Sequence, residues 1–253
     1  MSRSTDGAQR VVEVLDLLGE SRDGLGVREV ARRLDVHPST SSRLLATLAS
    51  GGLVERDGVS GRYRIGARVV GLAAAAVDRL PVVSQARPEL EHLSALTSET
   101  VNLAIRDGRH VVYVDQVTPA QTVVMASWVG RRSSVHASSS GKVLLAFGAE
   151  EPRAAVRALG RLERLTERTV TDPAALTEAL ARVRRQGYAA SAGELETGLV
   201  TIAAPVLVDG LAIAAVSVSG PSYRLPARDV PHLARRVMDA AAAAAHRMAG
   251  RRR

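Results

Sequence analysis

The chain of 253 residues contains no cysteine. Disulfide bridges and thiolate metal sites are therefore excluded, and the composition fits a reducing cytoplasm, the expected location. Only one lysine is present, Lys142; the other lysine-or-arginine positions are all arginine. With abundant alanine, that bias reads as the imprint of a GC-rich bacterial genome rather than a functional demand. No apolar run spans a bilayer, because the most apolar stretch, Ile202 to Val218, is broken by Pro205 and Asp209. The N-terminus lacks the order of a signal peptide: Asp6 precedes its apolar residues, and Glu13 and Asp16 interrupt them. A soluble protein without a membrane partner is expected. His110, His136 and His232 have no helical metal-ligand spacing, so neither a metal nor any other cofactor is expected.

What is present is a basic balance, a formal net charge of +8. Such a balance favours a polyanionic partner. Its location weakens the argument. Residues 1–66 carry ten Arg against nine Asp and Glu, a net of +1, whereas Arg251, Arg252 and Arg253 alone supply +3.

The apolar pattern has more to say. Val11, Val12, Val14, Leu15, Leu17 and Leu18 recur at helical spacing from Ala8 to Gly19. A second short helix follows over Val27 to Leu34, then a turn over Asp35 to Pro38. A third helix runs from about His37 to Ser50 and ends at Gly51-Gly52. Short strands at Leu53–Arg56 and Arg62–Ile65 flank a Gly-rich hairpin turn. This order predicts a winged helix-turn-helix over residues 1–66. Ala-rich residues 67–80 read as a linker helix stopped by Pro81. Residues 81–250 alternate helix and strand patterns and predict an α+β domain with a largely antiparallel sheet. Helices are expected at Val83–Ser98, Ser140–Leu145, Glu151–Leu159, Pro173–Gln186 and Pro226–Met248. Strands are expected at Val101–Arg106, Val111–Gln116, Val123–Ser127, Tyr188–Ala192, Thr201–Val208 and Ala212–Ser219, the last two joined at Asp209-Gly210. Residues 251–253 form a basic tail.

In a helix-turn-helix, the start of the second helix meets base edges in the major groove. Here those residues are His37, Ser39, Thr40, Ser41, Ser42 and Arg43. Leu44, Leu45 and Leu48 hold the helix on Val30 and Leu34. Arg62 and Arg64 in the hairpin are placed to meet phosphates, which fix register without reading sequence. Serines at a helix start also serve as ordinary caps, and the hairpin is the second match that favours DNA reading.

In the later domain, Ser138, Ser139 and Ser140 lie where a helix begins. A helix start offers free N–H groups and partial positive charge, which suit a carboxylate. The string SSSGK is no phosphate loop: that motif needs Gly at 136 and Ser or Thr at 143, where this chain has His136 and Val143. Ser217 and Ser219, two apart on a strand, share a face; they bond either a ligand or neighbouring backbone. His136 and Ser138 suggest a hydrolase as an alternative, two apart on one strand, but no orienting acid or Gly-x-Ser-x-Gly elbow accompanies them. DNA binding without a ligand is a further alternative. It calls for uniform basic charge, which residues 1–66 lack. No catalytic residues are assigned.

STSSRLLATLASGGLVERD followed by GRYRIG resembles the DNA-binding half of the IclR-type bacterial regulators. The match rests on Ser39, Thr40, Arg43, Leu44, Leu45, Leu48, Gly52, Tyr63, Ile65 and Gly66. It departs at Asp35, where the family usually has glycine, and at Ser41, where an aliphatic residue is common. VHASSSGKVLLA, GYAASAGELETGLVTIAAPV and AIAAVSVSGP resemble three motifs of the same family's effector domain, so the resemblance runs from about Ala8 to Met248. It implies a GAF-like α+β domain with a small-molecule pocket lined by Ser139, Ser140, Ser191, Thr201, Ser217 and Ser219, with Thr122 and Met125 at apolar wall positions. Ser191 stands where well-studied members have an acid. The resemblance implies a homodimer or dimer of dimers on a pseudo-palindromic DNA operator, repressing as the family default; the helix start and the hydroxyls point to an organic or aromatic acid as its effector. Glu194 and His136 are expected to be structural. Trp128 fits either core or pocket wall.

Overall fold

The computed structural model describes residues 3–77, 79–119 and 127–250. The chain divides into two compact units, Met1–Arg79 and Leu80–Arg253.

The first unit holds helices α1 (Arg3–Glu20), α2 (Val27–Arg33) and α3 (Pro38–Ser50), strands β1 (Val54–Arg56) and β2 (Tyr63–Ile65), and helix α4 (Arg68–Val77). In α1, Val14 and Leu18 are one helical turn apart and both are buried. In α3, Ser41, Leu45 and Leu48 follow the same periodicity and turn inward. These stripes close on Leu25, Val30, Val54 and Tyr63. Between α2 and α3 the chain reverses through Asp35, whose φ of 51° is left-handed. Aspartate enters that region more readily than most side chains, which explains how the turn closes without a glycine. The strands pair antiparallel as Val54↔Ile65, Glu55↔Arg64 and Arg56↔Tyr63. Their connecting turn is held by the Asp57 carboxylate, which accepts from the Val59 and Ser60 N–H groups and the Ser60 hydroxyl. Helix α4 has no buried residue, and Val70 and Leu72 are well exposed on it.

The second unit holds α5 (Pro81–Thr97), β3 (Thr100–Asp107), β4 (His110–Val117), β5 (Arg132–Ser134), α6 (Ser139–Ala146), α7 (Pro152–Leu159), α8 (Pro173–Gln186), β6 (Ala189–Ala192), β7 (Leu199–Val208), β8 (Leu211–Pro221) and α9 (Val230–Gly250). The six strands form one antiparallel sheet in the order β5-β4-β3-β8-β7-β6. Helices α5 and α9 cover one face over Val101, Leu103, Ile202, Val216 and Val218. Helices α6, α7 and α8 cover the other over Ala104, Tyr113, Ala189, Ala203 and Ala215. Both faces are covered, so β7 and β8 are apolar almost throughout instead of alternating. Asp209 and Gly210 both take positive φ in the tight β7–β8 turn.

Beyond shifts of a few residues at element ends, three details differ from the sequence expectation. Strand β5 was not anticipated; its three residues are too few for a periodic signal. The expected strand at Val123–Ser127 lies outside the described residues except for Ser127, which belongs to no strand. Helix α9 starts at Val230, after a 3₁₀ turn at Ala227–Asp229, not at Pro226. Pro231 explains this: lacking an N–H, it is tolerated only in a helix's first turn. Among the described residues no single helix is long and apolar enough to cross a membrane.

Candidate functional site

The first candidate surface is the start of α3. His37 caps the helix, its Nδ1 accepting from the Ser39 N–H at 3.3 Å and lying 2.8 Å from the Ser39 hydroxyl. His37, Ser39, Ser42 and Arg43 are exposed and Thr40 is half-buried. Ser41 corrects the expected reading surface. It is fully buried, and its hydroxyl donates to the Val27 carbonyl at 3.0 Å. Positions 41, 45 and 48 form one inward stripe, so a serine there joins α3 to α2 and is turned away from any DNA.

The hairpin also divides its two arginines. Arg62 donates to the Gly24 carbonyl at 3.1 and 2.8 Å and pairs with Glu29 at 2.8 Å. It braces the hairpin against α2 while its side chain stays partly exposed. Glu29 in turn accepts from the Gly26 N–H. That N–H, and then the Arg62 charge, hold the Glu29 carboxyl below the usual carboxylate range. Arg64, the middle residue of β2, is exposed.

The second candidate site lies in the other unit, where α6 begins over the sheet. The Ser138 hydroxyl caps α6 by accepting from the Gly141 N–H at 3.1 Å. This leaves the Ser139 and Ser140 N–H groups without an intrahelical acceptor. Gly141 is required there: a Cβ would fall 2.1 Å from the Val135 carbonyl oxygen. Its absence lets the first turn press against the preceding segment.

Strand register assembles the site's floor. Ser191 pairs with Thr201, Thr201 with Ser219, and Ser219 with Thr100. Neighbouring strands place paired residues on the same face, so these four hydroxyls form a row on the α6 side. The next row contains Asn102 and Ser217. Ser139 donates to Thr201 Oγ1 at 2.8 Å, and Ser191 donates to the Ala137 carbonyl at 3.2 Å. Ser139, Ser140, Ser191, Thr201, Ser217 and Ser219 are all buried and come together here. Thr122 and Met125 lie outside the described residues.

Two members of the rows escaped the sequence reading, Thr100 and Asn102. Both are 1% exposed. Asn102 Nδ2 donates to Ser219 Oγ at 3.2 Å, while Asn102 Oδ1 and Thr100 Oγ1 have no hydrogen-bond partner among the described residues. An asparagine inside an apolar strand was the available signal, since strands are poor in that residue.

Lys142 and Glu194 form a buried ion pair. The Glu194 backbone carbonyl also accepts from the Thr169 hydroxyl at 2.7 Å, so Glu194 anchors its loop. His136 Nε2 meets the Glu163 carbonyl at 2.9 Å. Ser138 is occupied as the cap of α6, and both residues sit in a turn, not on a strand. Neither contact is a nucleophile–base hydrogen bond of the kind a hydrolase would use. Trp128 is half-buried and packs edge-on to Tyr113 with ring centroids 5.3 Å apart. Among the described residues no group of three or more acidic or histidine side chains is arranged to hold a metal.

Comparison with known proteins follows the same division. Residues 7–58 match the family pattern described as IclR helix-turn-helix domain, and residues 74–246 match Bacterial transcriptional regulator IclR C-terminal. The chain is similar to the HTH-type transcriptional regulator BhcR of Paracoccus denitrificans, 38% identical over 96% of this chain and 87% of that one. It is 34% identical to the HTH-type transcriptional repressor AllR of Escherichia coli, over 88% and 83%. The fold is similar to that of an IclR homologue from Microbacterium hydrocarbonoxydans complexed with 4-hydroxybenzoate. That match has a TM-score of 0.80 and 30% identity and covers 96% and 99% of the two chains.

Proposed function

The chain belongs to the IclR family of bacterial transcriptional regulators, and we propose that it is a repressor governed by a small organic or aromatic carboxylate bound at the first turn of α6. One observation carries the effector reading: that turn stands directly over the hydroxyl row of the sheet, joined to it through Ser139 and Thr201. Two N–H groups and a partial positive charge suit a carboxylate. Ser139, Ser140, Ser191, Thr201, Ser217 and Ser219 line the pocket, and family position adds Thr122 and Met125. The ligand of the Microbacterium hydrocarbonoxydans homologue supports an aromatic acid, and the repressor name of AllR supports repression.

On the DNA side, His37, Ser39, Thr40, Ser42 and Arg43 enter the major groove, and Arg64 meets phosphate. A second copy covers α4, whose exposed Val70 and Leu72 leave apolar surface in water. A homodimer, or a dimer of dimers, then meets a pseudo-palindromic operator in the cytoplasm. The effector acts by binding two arrangements of the dimer unequally.

The test is a gel-shift titration with a DNA fragment selected from genomic DNA by the protein itself. Specific retention falls steeply with salt as phosphate contacts release counterions. Benzoate or 4-hydroxybenzoate changes retention by the wild-type chain, while Ser140→Leu binds DNA but ignores the acid. A wild-type response in Ser140→Leu overturns the pocket, and failure to select any fragment overturns the operator reading.

A further inference from the structure

The hydroxyl row is saturated at one end and unmet at the other. At the β7–β6 end, Thr201 accepts from Ser139 and Ser191 donates to Ala137. At the β3 end, Thr100 Oγ1 and Asn102 Oδ1 are buried without a partner among the described residues. Buried polar atoms without partners are scarce in folded proteins. Of the five such side-chain atoms among the described residues, these two sit two residues apart on one strand, and therefore on one face of it. Asn102 is also held in place, because its Nδ2 donates to Ser219 Oγ.

We propose that Thr100 and Asn102 read a neutral hydroxyl at the end of the effector away from its carboxylate. The effector is then a small hydroxy-monocarboxylate, not a plain acid, a dicarboxylate or an amino acid. This rests on the carboxylate reading of the α6 turn. The distance fits: β7 and β3 are separated by β8, and two strand spacings are roughly 10 Å, the span of a small molecule with a polar group at each end. The chemistry selects the group. Asn102 Oδ1 is an acceptor only, and the Thr100 hydroxyl can donate or accept. One ligand hydroxyl satisfies both, donating to Asn102 and accepting from Thr100. A second carboxylate could not donate to Asn102. An ammonium would be buried in rows that carry no charged side chain, without a counter-charge. Ser191 adds no acid at the opposite end.

The test uses the full chain and paired probes: 4-hydroxybenzoate with benzoate, 4-hydroxybutanoate with butanoate, and 4-(aminomethyl)benzoate as the cationic analogue. Affinities are measured by titration calorimetry for the wild type, Thr100→Val, Asn102→Leu and Ser140→Leu. In the wild type, a hydroxylated acid binds more than about ten-fold tighter than its parent, because the parent leaves buried groups unpaired. In Thr100→Val and Asn102→Leu that preference falls to within about three-fold, because the buried polar group that told the two acids apart has been removed. Thr100→Val guards against a folding artefact. It is nearly isosteric and removes a hydroxyl that bonds no described residue, so its ligand-free melting temperature holds or rises. A preference that survives in both variants overturns the proposal, as does equal binding of parent and hydroxylated acids or tightest binding of the ammonium analogue. If none of the acids binds, or if Ser140→Leu binds them all normally, the carboxylate reading itself has failed and the proposal falls with it.

Discussion

The Ser139 hydroxyl donates to the Thr201 hydroxyl at 2.8 Å. Residues 62 apart in sequence are thereby joined, and the opening turn of α6 is fixed over β7, the strand beside the β6 edge of the sheet. Replacing Thr201 by valine keeps the shape but leaves a buried donor unpaired. The expected loss is about 1–2 kcal/mol, read as a fall of several degrees in melting temperature. An unchanged melting temperature would show that the bond does not hold α6 in place.

Arg43 and Ser41 lie two residues apart on α3 and face opposite ways, which separates DNA reading from folding. Arg43→Ala is expected to abolish specific retention in a gel shift while leaving the melting temperature unchanged, because the side chain is exposed. Ser41→Ala is expected to cost about 1 kcal/mol of stability through the lost bond to Val27, with base specificity unchanged. Specific binding that survives Arg43→Ala would remove α3's start from the DNA-reading surface.

Glu29 ties the hairpin to α2 and gives the first unit an acid-sensitive point. Its folded-state pKa lies below the ordinary 4.5, first because the Gly26 N–H bonds the carboxylate and then because Arg62 stands beside it. A depressed pKa stabilises the fold above the ordinary value, and that contribution is lost as pH falls through the folded value. Denaturant midpoints of the first unit should therefore drop as pH falls below 4.5. Glu29→Gln should flatten part of that slope, Asp57 supplying another part with the same sign. An identical slope in Glu29→Gln would assign the acid sensitivity elsewhere.

Lys142, the chain's only lysine, is buried against Glu194. Lys142→Met leaves a carboxylate buried without its cation, and the expected cost is roughly 3–5 kcal/mol. The double variant Lys142→Met, Glu194→Leu should recover most of that loss, because an apolar pair leaves no charge unpaired. Urea denaturation of the two variants measures both quantities, and equal stabilities would show that the pair is not coupled.

The sequence by itself determined the helix-turn-helix order, the hairpin, the strand carrying Ser217 and Ser219 and the helix expected from Ser140. These follow from periodicities of 3.6 and 2 and from turn residues, which are local in the chain. It also marked Asp35 and Ser41 as departures from the family pattern. Only the tertiary structure decided what those departures mean. Asp35 takes the left-handed turn itself, and Ser41 turns inward to Val27. The same holds for Arg62, whose partners Gly24 and Glu29 lie more than 30 residues away. Asn102 and Thr100 show the limit most clearly. Their strand was legible, but their place beside Ser219 depends on β3 pairing with β8 across more than a hundred residues. That register is fixed by burying both faces of the sheet, a property of the packed whole that no local window contains.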